Sequence, residues 1–542
     1  MGGCVGLNYC PKFPYLNFMN RAQMLVALKA QKEWDLCIVG GGATGLGIAI
    51  DAASRGYATL LIEQSDFAKG TSSRSTKLVH GGVRYLQQGN VKLVMEALKE
   101  RGLLRQNAPH LVKNQSFLLP NYKWWEGPFY GIGLKIYDWM AGKLGLGPSL
   151  ILSREEALEH APTLNPEGLK GGVLYHDGQF DDARLAINLA QTAAEQKGVV
   201  INYMKVTGLV KSNTKVTGLQ LADQLDGTKY TINTKIVINA TGIFTDVLRK
   251  EDDAAKPPVL SLSQGTHLVV DKSFLPGDTA IMIPETSDGR VLFAVPWHQQ
   301  VIIGTTDIPV DAPAAEPIPQ EEEIKFILDN IGQYLAKYPK LEDIKSVFSG
   351  LRPLVRGNAS STAALSRDHF IEVSESGLIS ITGGKWTTYR KMAEDAVNIA
   401  IQQKILPERP CVTEGLPIHG AMTVKSYNSP GYYYGSDLLK IKQLESLEPA
   451  LAEMLHPRLP YSQACIVWAA REEMCMTVDD ALSRRTRAIL LDAAAAIESA
   501  PLVASLLANE YGYSKSWEME QVSIFTALAT NYLPNKTIAK TT

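Results

Sequence analysis

Residues 35–64 read DLCIVGGGATGLGIAIDAASRGYATLLIEQ, and this stretch sets the fold class of the chain. The apolar run LCIV predicts a short buried strand, LGIAIDAASRG predicts a helix ending at Gly56, and YATLLIE predicts a second strand. Between the first strand and the helix, Gly40, Gly42 and Gly45 match the spacing GxGxxG. The order of strand, glycine turn, helix and strand predicts a dinucleotide-binding unit.

Each part of this motif has a chemical purpose. Gly40 allows a tight turn, Gly42 lets a pyrophosphate approach the backbone, and Gly45 lets the helix pack closely on the strand. Amides at the helix N-terminus and the helix dipole stabilise phosphate. Glu63 ends the second strand, where a carboxylate accepts hydrogen bonds from ribose hydroxyls.

The next loop, TSSRSTKLVHGGVRYL at residues 71–86, combines hydroxyl groups, basic residues and a Gly-Gly pair. One interpretation is a polar surface loop with a solvated face. The other is a loop that wraps an anionic cofactor and reaches an anionic substrate. Its position directly after the dinucleotide-binding unit favours the second interpretation.

Two later segments distinguish FAD from a nicotinamide cofactor. KIVINATG at residues 235–242 predicts a strand that ends in Ala-Thr-Gly, as in many flavoproteins. LISITGGKWTTYRKMAEDAV at residues 378–397 predicts a strand, a glycine turn and a helix whose amides can face a flavin. A nicotinamide enzyme rarely needs such a returning segment, so the sequence favours FAD and a discontinuous nucleotide domain.

Bulk properties exclude several classes of protein. The chain has 542 residues, 20% of them charged, and a formal net charge of -2, which argues against nucleic acid as a partner. Its six cysteines are too sparse for a disulfide framework or a zinc site, and we expect no metal. The sequence contains no apolar run of about 18 residues, so it predicts no membrane-spanning helix. From about residue 400, Ala- and Leu-rich patterns predict a separate helical domain.

Taken together, the motifs resemble those of the FAD-dependent (respiratory) glycerol-3-phosphate dehydrogenases. The resemblance runs from about residue 35 to residue 400 and continues less tightly to residue 487. It rests on the segments quoted above together with DDARL, IIGTTD, GLRPL and LSRDH. It implies a mixed α/β and α+β fold: a glutathione-reductase-type FAD-binding Rossmann domain, a substrate cap built on an antiparallel sheet, and a C-terminal all-α domain. The expected ranges are 1–34 for an N-terminal extension, 35–110, 160–260 and 348–400 for the FAD domain, 111–159 and 261–347 for the cap, and 401–542 for the helical domain.

The resemblance also implies a reaction. We expect oxidation of sn-glycerol 3-phosphate to dihydroxyacetone phosphate, with electrons passed through FAD to a membrane quinone, either ubiquinone or menaquinone. The expected partners are the membrane surface and, for a homodimer, a second copy of the chain. An alternative is a soluble glycerol-3-phosphate oxidase that produces peroxide, although no surplus cap insertion is visible. A non-catalytic FAD-binding scaffold has no use for a phosphate pocket, and an amino-acid oxidase does not need so many cations.

The same resemblance implies site residues. The phosphate of the substrate is expected to bind to basic residues from four segments, with a neighbouring tyrosine: Arg84, Tyr85, Arg352, Arg367 and Lys385. Arginine suits this task because its guanidinium is a bidentate, permanently charged donor. Besides Gly40, Gly42, Gly45 and Glu63, the expected cofactor-binding residues are Ala43, Thr44, Thr71, Ser72, Ser73, Lys77, His80, Gly81, Val206, Ala240, Thr241, Gly242, Gly383, Gly384, Lys385 and Thr387.

Catalysis needs a base for the proton of the C2 hydroxyl group while hydride leaves C2. We expect His267, Lys385 and Arg352 to be the catalytic residues, with His267 the first candidate for the base. Lys385 and an arginine-assisted water are the other candidates. His80 is a further residue near this site, but a histidine before Gly-Gly can simply hold a backbone turn. Asp307 has two interpretations: it orients the cations around the phosphate, or it caps a turn.

Residues 122–147 are rich in tryptophan and lysine, with few acids. They are a candidate for a helix lying in a bilayer interface, and a packed part of the cap is the alternative. No EF-hand pattern follows the helical domain, so calcium regulation is not expected. These features predict a bacterial-type enzyme, cytoplasmic and attached peripherally to the inner face of the cell membrane.

Overall fold

The computed structural model describes residues 19–82, 90–356 and 369–534. Eighteen strands are found in these ranges: β1 Trp34–Val39, β2 Thr59–Ile62, β3 Leu78–Val79, β4 Val112–Asn121, β5 Leu150–Leu152, β6 Gly171–Phe180, β7 Val199–Ile201, β8 Met204–Ser212, β9 Lys215–Asp223, β10 Lys229–Asn239, β11 Leu260–Asp271, β12 Ala280–Ile283, β13 Leu292–Trp297, β14 Gln300–Gly304, β15 Ile308–Val310, β16 Ile344–Val355, β17 His369–Val373 and β18 Ile379–Gly383. The α-helices of the same ranges are α1 Arg21–Ala30, α2 Ala43–Ser54, α3 Val91–Asn107, α4 Glu126–Ala141, α5 Arg154–His160, α6 Asp182–Glu195, α7 Thr245–Asp252, α8 Glu321–Tyr334, α9 Tyr389–Gln402, α10 Leu438–Leu447, α11 Gln463–Glu472, α12 Ala488–Leu491, α13 Ala493–Tyr511 and α14 Lys515–Ala529.

The first sheet carries the predicted dinucleotide-binding unit. Its strand order is β17-β18-β10-β1-β2-β7, and β9 and β8 extend it as an antiparallel arm from β10. Strands β18, β10, β1, β2 and β7 run parallel. β1 and β2 are apolar on both faces because helices cover a parallel sheet on both sides. Nearly every residue of α2 is buried, since this helix packs against α6 and α9.

The second sheet forms the cap. Its strand order is β15-β11-β14-β13-β12-β4-β6-β3, with β16 paired to β11 and β5 paired to β6. All of its pairings are antiparallel except that of β12 with β4. Its own apolar core includes residues of α8, such as Ile327 and Ile331. The long strands β11 and β16 pair along almost their whole length and bring residues 260–271 beside residues 344–355.

The C-terminal helices α10 to α14 share one continuous apolar core with the first sheet. That core contains Leu36 of β1 and Ile48 of α2 together with Ala464 of α11 and Val503 of α13. The structure therefore confirms the predicted fold class: a Rossmann-type sheet, an antiparallel cap sheet and a C-terminal all-helical domain. No α-helix of the described residues is long and apolar enough to cross a membrane.

The domain ranges drawn from the sequence stay a prediction, and several segments differ from them in detail. Strands β3 and β6 and most of β16 lie in the cap sheet, although the ranges 35–110, 160–260 and 348–400 assigned them to the FAD domain. Residues 21–30, expected in an N-terminal extension, form helix α1, which buries Met24 and Leu28 in the main core. Arg21 ties this helix to Asp223 of β9 through an ion pair of 2.8 Å.

Candidate FAD-binding and active site

A cavity of about 570 Å³ lies at the carboxyl ends of β1 and β2. Its wall begins at the glycine turn before α2, follows the end of β2 and the loop of residues 68–72, and ends at the turn after β18. In open parallel sheets, ligands bind beyond the carboxyl ends of the strands. The cavity therefore occupies the place where a dinucleotide is expected.

The glycine turn lets backbone segments approach closely at two points. Gly40 has a φ of +114°, and a Cβ atom there would lie 2.5 Å from the carbonyl oxygen of Ala240. A Cβ atom on Gly45 would lie only 1.9 Å from the carbonyl oxygen of Gly40. A side chain at either position would push the turn apart, which agrees with the purpose assigned to these glycines from the sequence.

Hydroxyl and carboxyl groups hold the turn from the other side. Gly42 is the N-cap residue of α2 and has no side chain, so Ser72 supplies the capping oxygen instead and accepts a 3.0 Å hydrogen bond from the amide of Ala43. Glu63 accepts hydrogen bonds from the amides of Gly41, at 2.6 Å, and Ser65, at 2.9 Å. The carboxylate thus lies directly beside the turn at the cavity wall.

The far wall comes from a segment more than 300 residues later in the chain. Gly383 and Gly384 both have positive φ, and the short 3-10 helix Trp386–Thr388 follows them. The indole nitrogen of Trp386 donates a 2.9 Å hydrogen bond to the carbonyl oxygen of Ser72. This hydrogen bond joins the turn after β18 to the loop of residues 68–72, as expected for a nucleotide domain built from distant segments of the chain.

These residues fit FAD. The glycine turn leaves a cradle that side chains would fill, and amides at the N-terminus of α2 lie beside a carboxylate at the end of β2. Fourteen of the expected cofactor-binding residues line it: Gly40, Gly42, Ala43, Thr44, Glu63, Thr71, Ser72, Val206, Ala240, Thr241, Gly242, Gly383, Gly384 and Lys385. Their role as cofactor ligands stays a prediction.

The other expected cofactor residues lie behind this wall: Gly45, Ser73, Lys77, His80, Gly81 and Thr387. Lys77 is fully buried, and its Nζ atom lies 2.7 Å from both carboxylate oxygens of Asp182. The amide of His80 donates to the hydroxyl of Thr387 at 3.2 Å, and the amide of Gly81 donates to the hydroxyl of Tyr137 at 2.8 Å. In this structure these groups support the loop of residues 71–82 from within.

Arg352 lies in β16, directly across from Ser263 of β11. Its Nη2 atom donates to the hydroxyl of Thr305 at 3.0 Å and to the carbonyl oxygen of Thr306 at 3.1 Å. A Cβ atom on Gly265 would lie 2.3 Å from the same nitrogen, so this glycine makes room for the guanidinium. The side chain is 21% exposed, and its Nη1 atom forms an ion pair of 3.4 Å with Asp307.

His267 lies two residues after Gly265 on β11, on the same face of the sheet, because side chains alternate along a strand. Its ring stacks on Phe348 with centroids 4.8 Å apart, and its Nε2 atom lies 2.9 Å from the hydroxyl of Thr76. Burial, with the cations Arg352 and Lys77 nearby, lowers the pKa of His267 well below its ordinary value. The imidazole is therefore neutral, as a general base must be.

The structure thus brings Arg352 and His267 together on one face of the cap sheet and places Lys385 in the cavity wall. Arg84, Tyr85 and Arg367 lie outside the described residues, so the convergence of four basic side chains stays a prediction. Sequence reasoning missed Gly265 and Thr76 beside these groups. The segment QGTH carried the signal for Gly265, since a glycine inside a strand often marks the close approach of another group.

Sequence reasoning also missed several cavity residues that directly flank the expected ones: Gln64, Ser65, Lys69 and Gly70. Lys69 forms ion pairs with Glu316 and Asp479, and so joins the cavity wall to the C-terminal helices. Its partners come from distant parts of the chain, which the sequence does not reveal.

A second surface feature is an exposed apolar face on α4 and its neighbours, formed by Trp124, Trp125, Phe129, Ile132, Ile136, Trp139, Leu150 and Ile151. Trp124 and Trp139 are each 82% exposed. Lys123 and Lys135 beside them are exposed as well. Contiguous exposed apolar patches of this kind mark interaction sites, and tryptophan beside lysine is typical of helices at a membrane interface.

Two family descriptions match the chain. Residues 35–390 match the family described as FAD dependent oxidoreductase, and residues 379–518 match the C-terminal domain of alpha-glycerophosphate oxidase. The chain is 40% identical over 543 residues to "Glycerol-3-phosphate dehydrogenase, mitochondrial" of Rattus norvegicus. That alignment covers 94% of this chain and 74% of the rat protein.

Solved structures are similar as well. The crystal structure of the glycerol-3-phosphate dehydrogenase from Bacillus halodurans complexed with FAD has a TM-score of 0.74 and 30% identity, covering 95% of this chain and 97% of that one. The L-alpha-glycerophosphate oxidase from Mycoplasma pneumoniae has a TM-score of 0.57 at 17% identity, covering 71% of this chain and 98% of that one. At that identity, the oxidase shows a shared fold alone.

Proposed function

Because this chain belongs to the family of FAD-dependent glycerol-3-phosphate dehydrogenases, we propose that it oxidises sn-glycerol 3-phosphate to dihydroxyacetone phosphate and passes the electrons to a membrane quinone. The chain is an enzyme of this family and FAD is its cofactor, as the sequence motifs predicted. The observation that carries the choice of substrate is the pair of Arg352 and neutral His267 on one face of the cap sheet.

Arg352 supplies the binding half of this chemistry. A phosphate monoester carries nearly two negative charges near neutral pH, and charge-assisted hydrogen bonds from a guanidinium stabilise it away from water. Arg352 is held by Thr305 and Thr306, so its guanidinium is oriented before the substrate arrives. Lys385 in the cavity wall, with Arg84 and Arg367 as predicted, adds the remaining positive charge.

His267 supplies the acid–base half. When bound, FAD accepts a hydride from C2 of the substrate. The proton of the C2 hydroxyl group must leave at the same time, and a neutral imidazole takes it up. Lys385 and an arginine-assisted water remain the other candidates for the base.

The apolar face on α4 supports a membrane partner. Its tryptophans fit the boundary between headgroups and acyl chains, while Lys123 and Lys135 face anionic headgroups. A surface of this kind favours a quinone acceptor over oxygen, because the quinone is dissolved in the bilayer. We propose peripheral attachment to the membrane. Attachment to the cytoplasmic face of a cell membrane and formation of a homodimer stay predictions. The mitochondrial names of the curated relatives point instead to attachment to a mitochondrial membrane.

The test of the reaction is anaerobic reduction of the flavin. Added sn-glycerol 3-phosphate should bleach the visible flavin band of the purified protein, and glycerol should not. Slow reoxidation in air together with rapid reoxidation by a quinone analogue identifies the dehydrogenase, whereas fast peroxide formation identifies the oxidase. A flavin-loaded protein that sn-glycerol 3-phosphate does not bleach would contradict the proposal.

The phosphate site has its own variant. Arg352→Ala should retain FAD but need a much higher substrate concentration for bleaching, because a charged hydrogen-bond partner contributes about 1.5–3 kcal/mol. Arg356→Ala is the matched control, since Arg356 is exposed at the end of the same strand region. Equal substrate dependence in both variants would remove Arg352 from the site.

Membrane attachment is tested by flotation with lipid vesicles that contain an anionic lipid. The double variant W124S/W139S should lose vesicle binding and keep its reduction by sn-glycerol 3-phosphate. Met519→Ser is the control, because Met519 is 69% exposed on a different helix. Vesicle binding that survives the double variant would place the membrane contact elsewhere.

A further inference from the structure

We propose that Thr76 is a further catalytic residue, which carries the proton of the substrate's C2 hydroxyl group to the buried His267. The inference rests on the proposed function and adds to it a residue that no sequence motif indicated. It starts from a conflict in the geometry: the best candidate for the base cannot be reached by a substrate directly.

His267 is enclosed on all sides. The whole residue is only 2% exposed. Phe348 covers one face of the ring at an interplanar angle of 11°, and a Cβ atom on Gly304 would lie 2.4 Å from the ring carbon Cδ2. The Nδ1 atom is buried and has no hydrogen-bond partner among the described residues. A substrate alcohol therefore has no open path to either ring nitrogen.

Among the described residues, Thr76 is the one whose side chain forms a hydrogen bond with Nε2 of His267. Its hydroxyl oxygen lies 2.9 Å from that nitrogen, at ordinary hydrogen-bond distance. Thr76 itself is partly exposed. It follows Thr71 and Ser72, which line the cavity, and its hydroxyl joins this loop to His267 of the cap sheet.

The backbone on both sides of Thr76 is fixed by Asp182. Ser75 donates to this carboxylate from its hydroxyl at 2.7 Å and from its amide at 3.1 Å. Lys77 forms a buried ion pair with it at 2.7 Å and adopts a φ of +63°. A hydroxyl group held between two anchored neighbours is positioned for repeated proton transfer, which a mobile surface threonine is not.

The proposed step conserves atoms and charge. The O–H bond at C2 breaks and its proton goes to the oxygen of Thr76, whose own proton goes to Nε2 of His267. The electron pair of the broken O–H bond forms the new carbonyl bond, and the hydride from C2 goes to FAD, the acceptor that the family supplies. The result is a ketone, an unchanged threonine and an imidazolium.

The surroundings accommodate that imidazolium. Of the two cations that act on the ring, Lys77 is neutralised by Asp182. The other cation, Arg352, forms a 3.4 Å ion pair with Asp307, and the phosphate of a bound substrate adds further negative charge beside it. Burial is the largest cause of the lowered pKa of His267, and the two cations add to it. Substrate binding therefore weakens the electrostatic part of that effect and shifts the ring towards proton uptake.

The decisive experiment compares Thr76→Val with Thr76→Ser. Thr76→Val keeps the shape and loses the hydroxyl, so anaerobic flavin reduction by sn-glycerol 3-phosphate should slow by about 100-fold, the lower range for a lost acid–base group. Thr76→Ser keeps the hydroxyl and should retain most of the rate. FAD content should be unchanged in both. Thr76→Val at the wild-type rate, or Thr76→Ser as slow as Thr76→Val, would overturn the proposal.

Two further readouts test the relay itself. If Thr76 and His267 act as one unit, the double variant T76V/H267N should be no slower than the slower single variant, whereas independent effects that multiply would overturn the relay.

In the apoprotein, diethyl pyrocarbonate should modify His267 in Thr76→Ala but not in the wild type, with His369 as the reactive reference. A wild-type His267 that reacts as fast as His369 would show an open ring and make the relay unnecessary.

The anaerobic flavin reduction of the wild-type protein distinguishes failure of this inference from failure of the proposed function. Wild-type protein that is bleached by substrate while Thr76→Val matches its rate overturns the relay alone. Wild-type protein that is not bleached overturns the proposed function and, with it, this role for Thr76.

Discussion

The FAD cavity and the C-terminal junction are built by opposite means. The cavity is lined mainly by small residues and backbone groups, such as Gly40, Gly42 and Ala240. The C-terminal junction, by which we mean the contacts of Asp66, Arg184 and Glu195 with His419, Glu473, Arg484 and Arg485, consists of charged side chains, most of them buried. One region depends on the absence of side chains, and the other depends on their pairing.

This difference has an energetic consequence. A cavity made of glycines fails when an atom is added, because the displaced atoms belong to the backbone. A buried ionic junction fails when a charge is removed, because its partner is left buried without compensation. The two regions should therefore respond to different substitutions, and the following variants test that separation in order of expected effect.

Gly45→Ala should abolish FAD binding. The added Cβ would lie 1.9 Å from the carbonyl oxygen of Gly40, so the turn that receives the pyrophosphate must open. The ratio of flavin absorbance to protein absorbance in the purified variant measures the loss. Gly133→Ala is the control, since nothing lies within 4 Å of a Cβ there. A flavin-loaded Gly45→Ala protein would show that close packing at this turn is dispensable.

Asp66→Asn should lower the free energy of unfolding by roughly 3–5 kcal/mol, the cost of removing one partner from a buried pair. Asp66 binds Arg485 through both carboxylate oxygens, at 2.7 and 2.9 Å, and Arg484 at 2.5 Å. Urea unfolding of the variant and the wild type gives the difference. Asp311→Asn, at an exposed position, should change little. Equal stability of both variants would mean that the junction contributes specificity rather than stability.

The sequence predicted the cavity much better than the junction. Residues 35–64 fold as expected because the strand, turn and helix signals are local, and the glycine spacing connects neighbours in the chain. Asp66 and Arg485 are 419 positions apart, and nothing in either segment indicates the other. A charged residue in a sequence is usually exposed, so burial of this cluster is a property of the tertiary fold alone.

The candidate active site lies between these extremes. The motif GLRPL indicated Arg352 and QGTH indicated His267, but their adjacency depends on the register of β11 and β16. The enclosure of His267 depends on Phe348 and Gly304, which come from two other strands. Sequence patterns therefore suggested the residues, whereas only the packing of the cap sheet shows how they are accessible.

His419 gives the junction a pH dependence of its own. Burial alone would lower the pKa of His419, but hydrogen bonds to Asp437 at 2.7 Å and Glu195 at 2.5 Å outweigh it and raise the pKa to about 9. A pKa raised on folding stabilises the protein fully below the ordinary histidine value and loses that contribution as pH rises through the folded value. Stability should therefore fall between about pH 6.5 and pH 9, by up to about 1.4 kcal/mol per pH unit.

Urea unfolding across that range, compared with His419→Gln, measures this contribution. The variant should be less stable than the wild type at pH 6.5 and should approach it at pH 9. FAD content should be the same in both proteins at pH 6.5, because His419 belongs to the junction. A constant difference between the two proteins across the range would show that His419 contributes packing rather than charge.

Ser72→Ala should have the smallest effect of these variants. It tests both principles together, because it removes a polar side-chain atom from the FAD cavity, a region that otherwise depends on the absence of side chains. Ser72 replaces the capping group that Gly42 lacks, and loss of a helix N-cap costs about 1 kcal/mol. The first turn of α2 should then be less well ordered for the pyrophosphate, so FAD affinity should fall by roughly fivefold, the factor that corresponds to that energy. Titration of the apoprotein with FAD, followed by flavin fluorescence, measures the change, and Ser446→Ala on the exposed side of α10 is the control. If affinity is unchanged, the glycine cradle alone determines binding; a complete loss would mean that the cavity, like the junction, depends on a single side chain.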